Sequence, residues 1–433
     1  MRFLGVGENC DLGDMYYRLG LAGHEVRVHI GAAAAQDVYG GMLRLAPNWR
    51  AELAWIREAG AEGIIIFESA SMGEIQNALR HDGYQVIGGS AFGDRLEDDR
   101  EFGQKILRDI GLNTARSWSF TDFDAAIAFI HATPGRYVFK LNDAEALRTR
   151  NYIGEMDDGA DMLALLKMQR AQWHNNSAPD FVLMQYVSGT EVGIGAYFNG
   201  QVFLQPVCLD WEHKRLFPGN LGELTGEMGT IVTYRGGERI FALTLARMQE
   251  SLRASAYCGY INLSLMANEH GLWPLEFTSR FGYPGFAICQ ALHGEPWDVI
   301  FRKMLQGQEL AFPTHAGFAA GIVLSVPPFP YSFGYEQLSK GVPVLFRDGM
   351  TPADHAHVHF AEVALRGSQL VTSGNTGYIG TVTGTGDTVE QAQDIAYERA
   401  RKVVVPNLRY RNDIGAEVMQ SLAQLKMLGL VAE

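Results

Sequence analysis

The stretch Leu272-Trp-Pro-Leu-Glu-Phe-Thr-Ser-Arg-Phe-Gly-Tyr-Pro284 constrains the fold of this chain more than any other. Trp273 to Phe277 is apolar and aromatic, the pattern of a short buried strand, and Glu276 is its one carboxylate. A buried acid is costly unless a cation or a metal neutralises it. Whatever fold forms must therefore bring positive charge to this strand. Thr278 and Arg280 follow, and Gly282 and Pro284 turn the chain. A carboxylate, a hydroxyl and a guanidinium so close together can hold Mg²⁺ and an anion side by side. On this stretch alone the simpler reading is a structural ion pair between Glu276 and Arg280. Features elsewhere in the chain tip the balance toward a site.

At 433 residues the chain exceeds one hydrophobic core and predicts two to four domains. Apolar residues make up 47% and charged residues 20%, the balance of an ordinary globular protein. A net charge of −13 argues against broad binding to nucleic acid or anionic membranes, while leaving room for a local basic pocket that takes phosphates. No apolar run approaches the length of a membrane span, and the opening residues lack the pattern of a signal peptide. Cys10, Cys208, Cys258 and Cys289 are far apart and lack metal-ligand spacing, which fits a reducing, cytoplasmic compartment.

Met1 to Val6 predicts a strand, Asp11 to Leu21 a helix and His24 to Ile30 a second strand. This is a β-α-β opening whose turn, Gly5 to Gly13, places helix-end N–H groups at a ligand crevice. The turn lacks the third glycine of a dinucleotide fingerprint, and its Glu8 and Asp11 repel a pyrophosphate. With further strands over 61–67 and 84–88, residues 1–99 are expected as a doubly wound α/β domain. A second unit is expected over 100–315, with a small lid subdomain at about 113–187. Its elements are a helix over 98–110, strands over 137–140 and 181–187, a hairpin of 192–198 and 201–209 around Asn199-Gly200, and a helix over 240–257. The polar, glycine-rich residues 210–229 are too many for a simple connection and predict a working loop. From 316 to 433, short strands and a helix over 388–404 predict a mixed α+β domain.

Four separated features point to one chemistry. Lys140 at a strand end can reach an α-phosphate, and Met184 to Val187 can present backbone groups and apolar faces to adenine. Glu191 can accept a ribose hydroxyl, and Glu276 can hold Mg²⁺ on the phosphates. Each residue alone suits a core or a surface equally well. In this order and spacing they resemble the ATP-grasp fold, and within it the phosphoribosylamine–glycine ligase (glycinamide ribonucleotide synthetase) family. His213-Lys-Arg215 followed by Thr225-Gly-Glu-Met-Gly229 is similar to that family's His-Lys-Arg and Thr-Gly-Gly-Met-Gly. Leu275 to Pro284 is similar to its Leu-Glu-Phe-Asn-Val-Arg-Phe-Gly-Asp-Pro. Val371-Thr-Ser-Gly374 and Tyr410-Arg-Asn-Asp-Ile-Gly415 match motifs of its C-terminal domain.

The resemblance implies an α/β ATP-grasp fold with an N-terminal Rossmann-like domain. It implies an enzyme in which ATP phosphorylates a carboxylate and an amine displaces phosphate from the acyl phosphate, as in purine biosynthesis. ATP and Mg²⁺ (or Mn²⁺) would be the cofactors, with Arg100, Lys140, Gln185, Tyr186, Val187, Glu191 and Lys214 around the nucleotide. Glu276 and Thr278 would hold the metal, and Arg280 would grip the substrate carboxylate or acyl phosphate. Gly7, Glu8, Asp11, Glu68, Glu212, Thr225 and Gly226 would face the substrates. The implied partners are an amino acid or other carboxylate and an amine, without nucleic acid or membrane, in a monomer or homodimer.

The departures define what is expected to differ. Where the family has a glycine-rich loop over the triphosphate, this chain has Leu141-Asn-Asp-Ala-Glu-Ala-Leu-Arg-Thr-Arg150 with no glycine. Left-handed backbone costs a non-glycine residue about 1–2 kcal/mol, so this segment cannot copy such a loop. Arg148 is expected to supply the loop's charge, with Arg150 as a second candidate. Thr278 replaces a metal-binding asparagine, and the aspartate before His-Lys-Arg becomes Glu212, or Asp210 if the alignment gaps. Glu8-Asn-Cys-Asp11 stands where the family has the Gly-Gly-Arg-Glu-His motif of the ribosylamine phosphate, which points to an altered amine. The competing reading is a catalytically silent ATP-grasp relative that binds nucleotide or a partner. A nicotinamide oxidoreductase rests only on the first β-α-β. His355, His357 and His359 are read as structural residues alternating on a strand.

Overall fold

The computed structural model describes residues 1–141, 151–173, 180–307 and 311–432. Its N-terminal part folds as the β-α-β pattern predicts. Strands β1 (Arg2–Gly7), β2 (Glu25–Ile30), β3 (Arg44–Leu45), β4 (Gly63–Phe67) and β5 (Gln85–Ile87) form a parallel sheet in the order β3-β2-β1-β4-β5. β4 is buried throughout, as a strand covered on both faces must be. The strand order reverses at β1, so the ends of β1 and β4 beside the helix Gly13–Leu21 make the crevice where such sheets take ligands.

A smaller antiparallel sheet follows, β6 (Ser117–Phe120), β7 (Tyr137–Leu141), β8 (Tyr152–Ile153) and β9 (Phe181–Gln185), in the order β6-β9-β7-β8. Helices Phe123–Ala132 and Ala160–Gln172 cover it, and Phe139, Phe181, Ile130 and Leu166 pack between the layers. Lys140 therefore sits near the end of an anchored strand.

The remaining chain is organised by one long antiparallel sheet. The strands of this part are β10 (Thr190–Phe198), β11 (Cys208–Glu212), the side hairpin β12 (Arg215–Phe217) and β13 (Leu221–Leu224), β14 (Gly229–Thr233), β15 (Gly259–Asn268), β16 (Gly271–Thr278) and β17 (Phe318–Ser325). β18 (Leu345–Phe346), β19 (Val358–Phe360), β20 (Val363–Arg366), β21 (Gln369–Thr372), β22 (Tyr378–Gly386) and β23 (Val403–Val404) complete the set. Among the described residues the long sheet has eight strands, β16-β15-β10-β11-β14-β17-β22-β19. β14 bonds β17 from Gly229↔Ile322 to Val232↔Ala319, so the C-terminal unit continues the central one edge to edge. Ile194, Leu209, Ile231, Leu263 and Ile322 line the apolar face, with Ala392 and Ala396 of the helix Val389–Ala400 against them.

Several local expectations change. Residues 210–229 are largely strand, not an open loop, because the hairpin β12–β13 folds back between β11 and β14. The helix expected over 240–257 is broken into Glu238–Leu243, a 3₁₀ turn Leu245–Met248 and Gln249–Ala254. At the break, the Thr244 hydroxyl bonds the Ile240 carbonyl at 2.6 Å, and this back-bonding competes with regular helix. Asp99 ends one helix, Ala91–Asp98, and caps the next, Arg100–Asp109, by accepting from Phe102 N–H at 3.0 Å. No helix among the described residues is long and apolar enough to cross a membrane.

Candidate active site

Strand alternation assembles the site. Register pairs Gly193 with Asp210 and Ser264, Gly195 with Asn262, Asn262 with Thr278, and Ser264 with Glu276. Residues directly opposite one another share a face, so Glu191, Asp210, Glu212, Asn262, Glu276 and Thr278 all project from one side of the sheet. Gly193 leaves room for this crowd: a Cβ there would lie 2.0 Å from Asp210 Oδ1.

Lys214, just beyond β11, places Nζ 3.0 Å from Glu276 Oε1, 3.2 Å from Glu212 Oε2 and 3.6 Å from Glu191 Oε1. Lys140 approaches Glu276 Oε2 at 3.8 Å. Arg100 opens its helix beside them and donates to Met184 Sδ at 3.2 Å. The charges of Lys214 and Lys140 hold the Glu276 carboxyl well below the usual range. Protein surrounds Glu276 on most sides, yet 45% of its side chain remains accessible to the cleft. Burial lowers the Lys140 ammonium to about 8, against the pull of Glu276. Burial also opposes charge on Lys214, but Glu276, Glu212 and Glu191 outweigh it and push its pKa up.

The cations that neutralise Glu276 are thus lysines from other elements, not Arg280, and the simple Glu276–Arg280 ion pair is not formed. Arg280 Nε instead binds Glu97 Oε1 at 3.0 Å, and Glu97 Oε2 accepts Ser279 N–H at 2.7 Å. Burial opposes the charge on Arg280, while Glu97 and then Asp11 outweigh it and raise the guanidinium pKa. Arg280 faces a cavity of about 360 Å³ whose walls include Asp11, Thr225, Gly226, Tyr283 and Tyr378. Phosphate-facing and acceptor-facing groups therefore occupy neighbouring but separate places.

Other expected residues distribute unevenly. Gln185 and Tyr186 donate their N–H groups to the Arg116 and Arg136 carbonyls, at 2.8 and 3.0 Å, so those two donors are not available to a base. Arg136 stacks over the Tyr186 ring at 3.6 Å, and Val187 packs against Ala115, Val182 and Met184. Asp11 lines the cavity, whereas Glu68 lies beneath the turn, accepting Asp11 N–H at 2.9 Å. Gly7 ends β1, and the Glu8 carboxylate covers Gly31, where a Cβ would meet it at 2.5 Å. Thr225 spends both its N–H and its hydroxyl on the Lys214 carbonyl, each at 2.8 Å. Arg148 and Arg150 lie outside the described residues. The three histidines do not alternate on one strand: His355 ends a short helix, and His359 in β19 is buried against Asp14 at 2.7 Å.

Sequence reasoning passed over Glu97, Asn262 and Glu227. Asn262 Nδ2 donates to Asp210 Oδ2 at 2.6 Å, and burial, then Glu212, raises the Asp210 carboxyl to about 8. Glu227 is buried and bonded to the Thr230 hydroxyl, and burial, then Glu212, raises it well above the carboxylate range. The available signals were a half-buried arginine in need of a carboxylate and an acid standing in a glycine-rich motif.

Glu276 and Thr278, adjacent on one strand face, form an oxygen-only donor set that suits Mg²⁺. A cleft with such a pair beneath three cations suits a magnesium-bound polyphosphate. The family profile described as the phosphoribosylglycinamide synthetase ATP-grasp (A) domain matches residues 98–286, and that of the same enzyme's C domain matches 321–417. The chain is a phosphoribosylglycinamide-synthetase-like ATP-grasp protein. Phosphoribosylamine–glycine ligase of Halalkalibacterium halodurans is 24% identical over 359 residues, covering 81% of this chain and 80% of that one. The ligase of Streptococcus pyogenes serotype M1 is 28% identical over 350 residues, covering 78% and 79%. Among solved structures, the ATP-grasp fold is shared with phosphoribosylamine–glycine ligase of Thermotoga maritima, at a TM-score of 0.70 and 22% identity over 96% of this chain and all of that one. It is shared also with N5-carboxyaminoimidazole synthetase of Staphylococcus aureus complexed with ADP, at 0.57 and 14%, covering 92% and 97%.

Proposed function

We propose that this ATP-grasp protein is a carboxylate–amine ligase that uses Mg²⁺ and ATP, forms an amide through an acyl phosphate and releases ADP. The observation that carries the reading is the convergence of Lys140, Lys214 and Arg100 on Glu276 from separate elements. A chain that had lost this chemistry gains nothing by keeping such charges crowded together, since replacing a poorly solvated ion pair by apolar residues of similar volume is often neutral or stabilising. Their joint presence favours an enzyme over a silent relative.

In this reading Lys140 and Arg100 take the inner phosphates, Glu191 accepts a ribose hydroxyl, and Glu276 with Thr278 holds the metal. Bound Mg²⁺ and ATP supply the phosphoryl group and the charge neutralisation that lets ADP leave. Arg280, held in place by Glu97, grips the carboxylate whose oxygen attacks the γ-phosphorus. The amine nitrogen then bonds the acyl carbon as the bond from that carbon to the phosphate oxygen breaks. Arg148 is the proposed cover of the γ-phosphate. The acidic turn holding Asp11 supports an amine other than phosphoribosylamine.

The test supplies glycine with hydroxylamine as a small surrogate amine and Mg²⁺ with ATP. Hydroxamate, ADP and phosphate should appear together, with little product when phosphoribosylamine replaces hydroxylamine. Release of AMP would overturn the ligase class, and efficient use of phosphoribosylamine would overturn the altered amine.

A further inference from the structure

Two backbone N–H cradles border the cavity that Arg280 faces, and each is filled from within by an acidic side chain. The first is the turn after β1. Glu68, 1% exposed at the end of β4, accepts Asp11 N–H at 2.9 Å there. Gly7 across from it has no room for a side chain, since a Cβ would fall 2.0 Å from Glu68 Oε2. The second cradle is the loop between β21 and β22. Glu362, 7% exposed and part of the cavity wall, accepts the N–H groups of Asn375 at 3.3 Å, Thr376 at 2.9 Å and Gly377 at 2.7 Å. Gly374 N–H goes to Asp37 Oδ1 at 3.1 Å. Gly374 and Gly377 have φ of +66° and +89°, a conformation that glycine adopts freely and that helps aim neighbouring N–H groups at one centre.

N–H groups converging in this way form a site for an anion, and a phosphate is the usual occupant. Here the anion belongs to the chain itself. Apart from Arg280, which the carboxylate substrate engages, the cavity offers a ligand acidic side chains and aromatic faces: Asp11, Glu362, and Tyr378 between Tyr283 and Phe329, at ring distances of 5.3 and 4.5 Å. Acceptors and π-faces favour hydroxyls and ammonium groups.

We propose that Glu362 is a built-in counter-anion which, with Glu68 filling the turn after β1, occupies the cavity's N–H cradles and so restricts the acceptor to small, non-phosphorylated amines carrying a second hydrogen-bond donor, an amino alcohol or a diamine. That the ligand is the acceptor amine rests on the ligase reading; the filling of the cradles does not. Introducing a phosphorylated amine would require displacing a carboxylate that already satisfies the same donors.

The experiment titrates ribose 5-phosphate into the full chain by calorimetry, with Mg²⁺ and a non-hydrolysable ATP analogue occupying the nucleotide site. The parent should bind more weakly than about 1 mM. Glu362→Ala, which frees the loop amides, should bind about tenfold tighter or better, the scale of a few charge-assisted bonds. If thermal melting shows that Glu362→Ala does not fold, Glu362→Gln, equal in size but uncharged, should show a gain in the same direction. Tight binding by the parent, or no gain in a folded variant, overturns the proposal. Turnover is not needed for this readout. A gain in binding with no hydroxamate formed would therefore discard the ligase reading while keeping the filled cradles.

Discussion

Lys140 illustrates how a residue can be prepared for a ligand at a cost to itself. Burial lowers its ammonium to about 8 from an ordinary 10.5. Unfolded chain binds this proton more readily than folded chain between those values, so the unliganded protein gains stability from this group as pH rises from about 8 to 10.5. A phosphate beside the ammonium reverses the preference and raises its pKa. Nucleotide binding should therefore take up close to one proton at pH 8.5 to 9 and almost none at pH 6.5. Calorimetry in buffers of different ionisation enthalpy measures this, and Lys140→Arg should remove the uptake because arginine stays charged throughout. The sequence made Glu276's demand for a cation legible, and the nearest candidate along the chain was Arg280. The partner that meets the demand most closely, Lys214, is 62 residues away. Antiparallel pairing brings together residues that no local spacing connects, which is why the need was readable and the partner was not.

At the scale of elements, the site depends on where side chains are missing. Gly193 in β10 makes space for Asp210 in β11, and no turn or helix cap requires that glycine. Gly193→Ala should push the Asp210 carboxyl out of its bond with Asn262 and lower turnover by about tenfold or more. The fold should survive with a loss of about 1–3 kcal/mol, the usual cost of overpacking. Activity and chemical denaturation, measured on the same sample, separate the two effects. The hairpin β12–β13 shows what pattern reading could not reach. Its strands are short and set among polar, glycine-containing stretches, so 210–229 carried the composition of a loop. What holds it is remote: Arg411, fully buried, donates to the Arg215 carbonyl at 3.0 Å and to Asn220 Oδ1 at 3.2 Å while paired with Asp413. The parallel N-terminal sheet was easier to foresee, because its continuous apolar runs need no distant partner to be recognised.

For the whole molecule, buried ionisable groups set the pH range of stability. Burial raises Glu68 and Asp210 to about 8, and Glu227 also rises. The folded state keeps these protons where the unfolded state releases them, so stability falls as pH climbs from the ordinary carboxyl range toward 8. Burial lowers His213 and His357 to about 4 and His293 to about 3, and His359 falls too. Unfolded histidines take up protons below about 6.5 that the folded ones refuse, so stability also falls as pH drops beneath that value. The two slopes oppose each other in mild acid, while only the carboxyls act above it. Maximum stability of the unliganded protein should thus lie near pH 6 to 6.5, with a loss of a few kcal/mol by about pH 8. Urea denaturation across this range checks it; a maximum at pH 8 would contradict the assignment. Metal binding provides a further measure. With one carboxylate and one hydroxyl as direct ligands, Mg²⁺ must fill its octahedron from nucleotide oxygens and water. Calorimetric titration should find weak binding to the protein alone and much tighter binding with ATP present.

The separation of Glu276 from Arg280 has a consequence for how such a chain can change over generations. Glu276 answers to lysines gathered by the long sheet, while Arg280 answers to Glu97 and looks into a cavity bordered by turns. Mutations at the tips of those turns alter what the cavity accepts without disturbing the strands that manage phosphoryl transfer. A lineage built this way can exchange its nucleophile by small edits while its energy source stays fixed, and Glu362 seated among the Asn375, Thr376 and Gly377 amides is the size such an edit has: one side chain, in one loop.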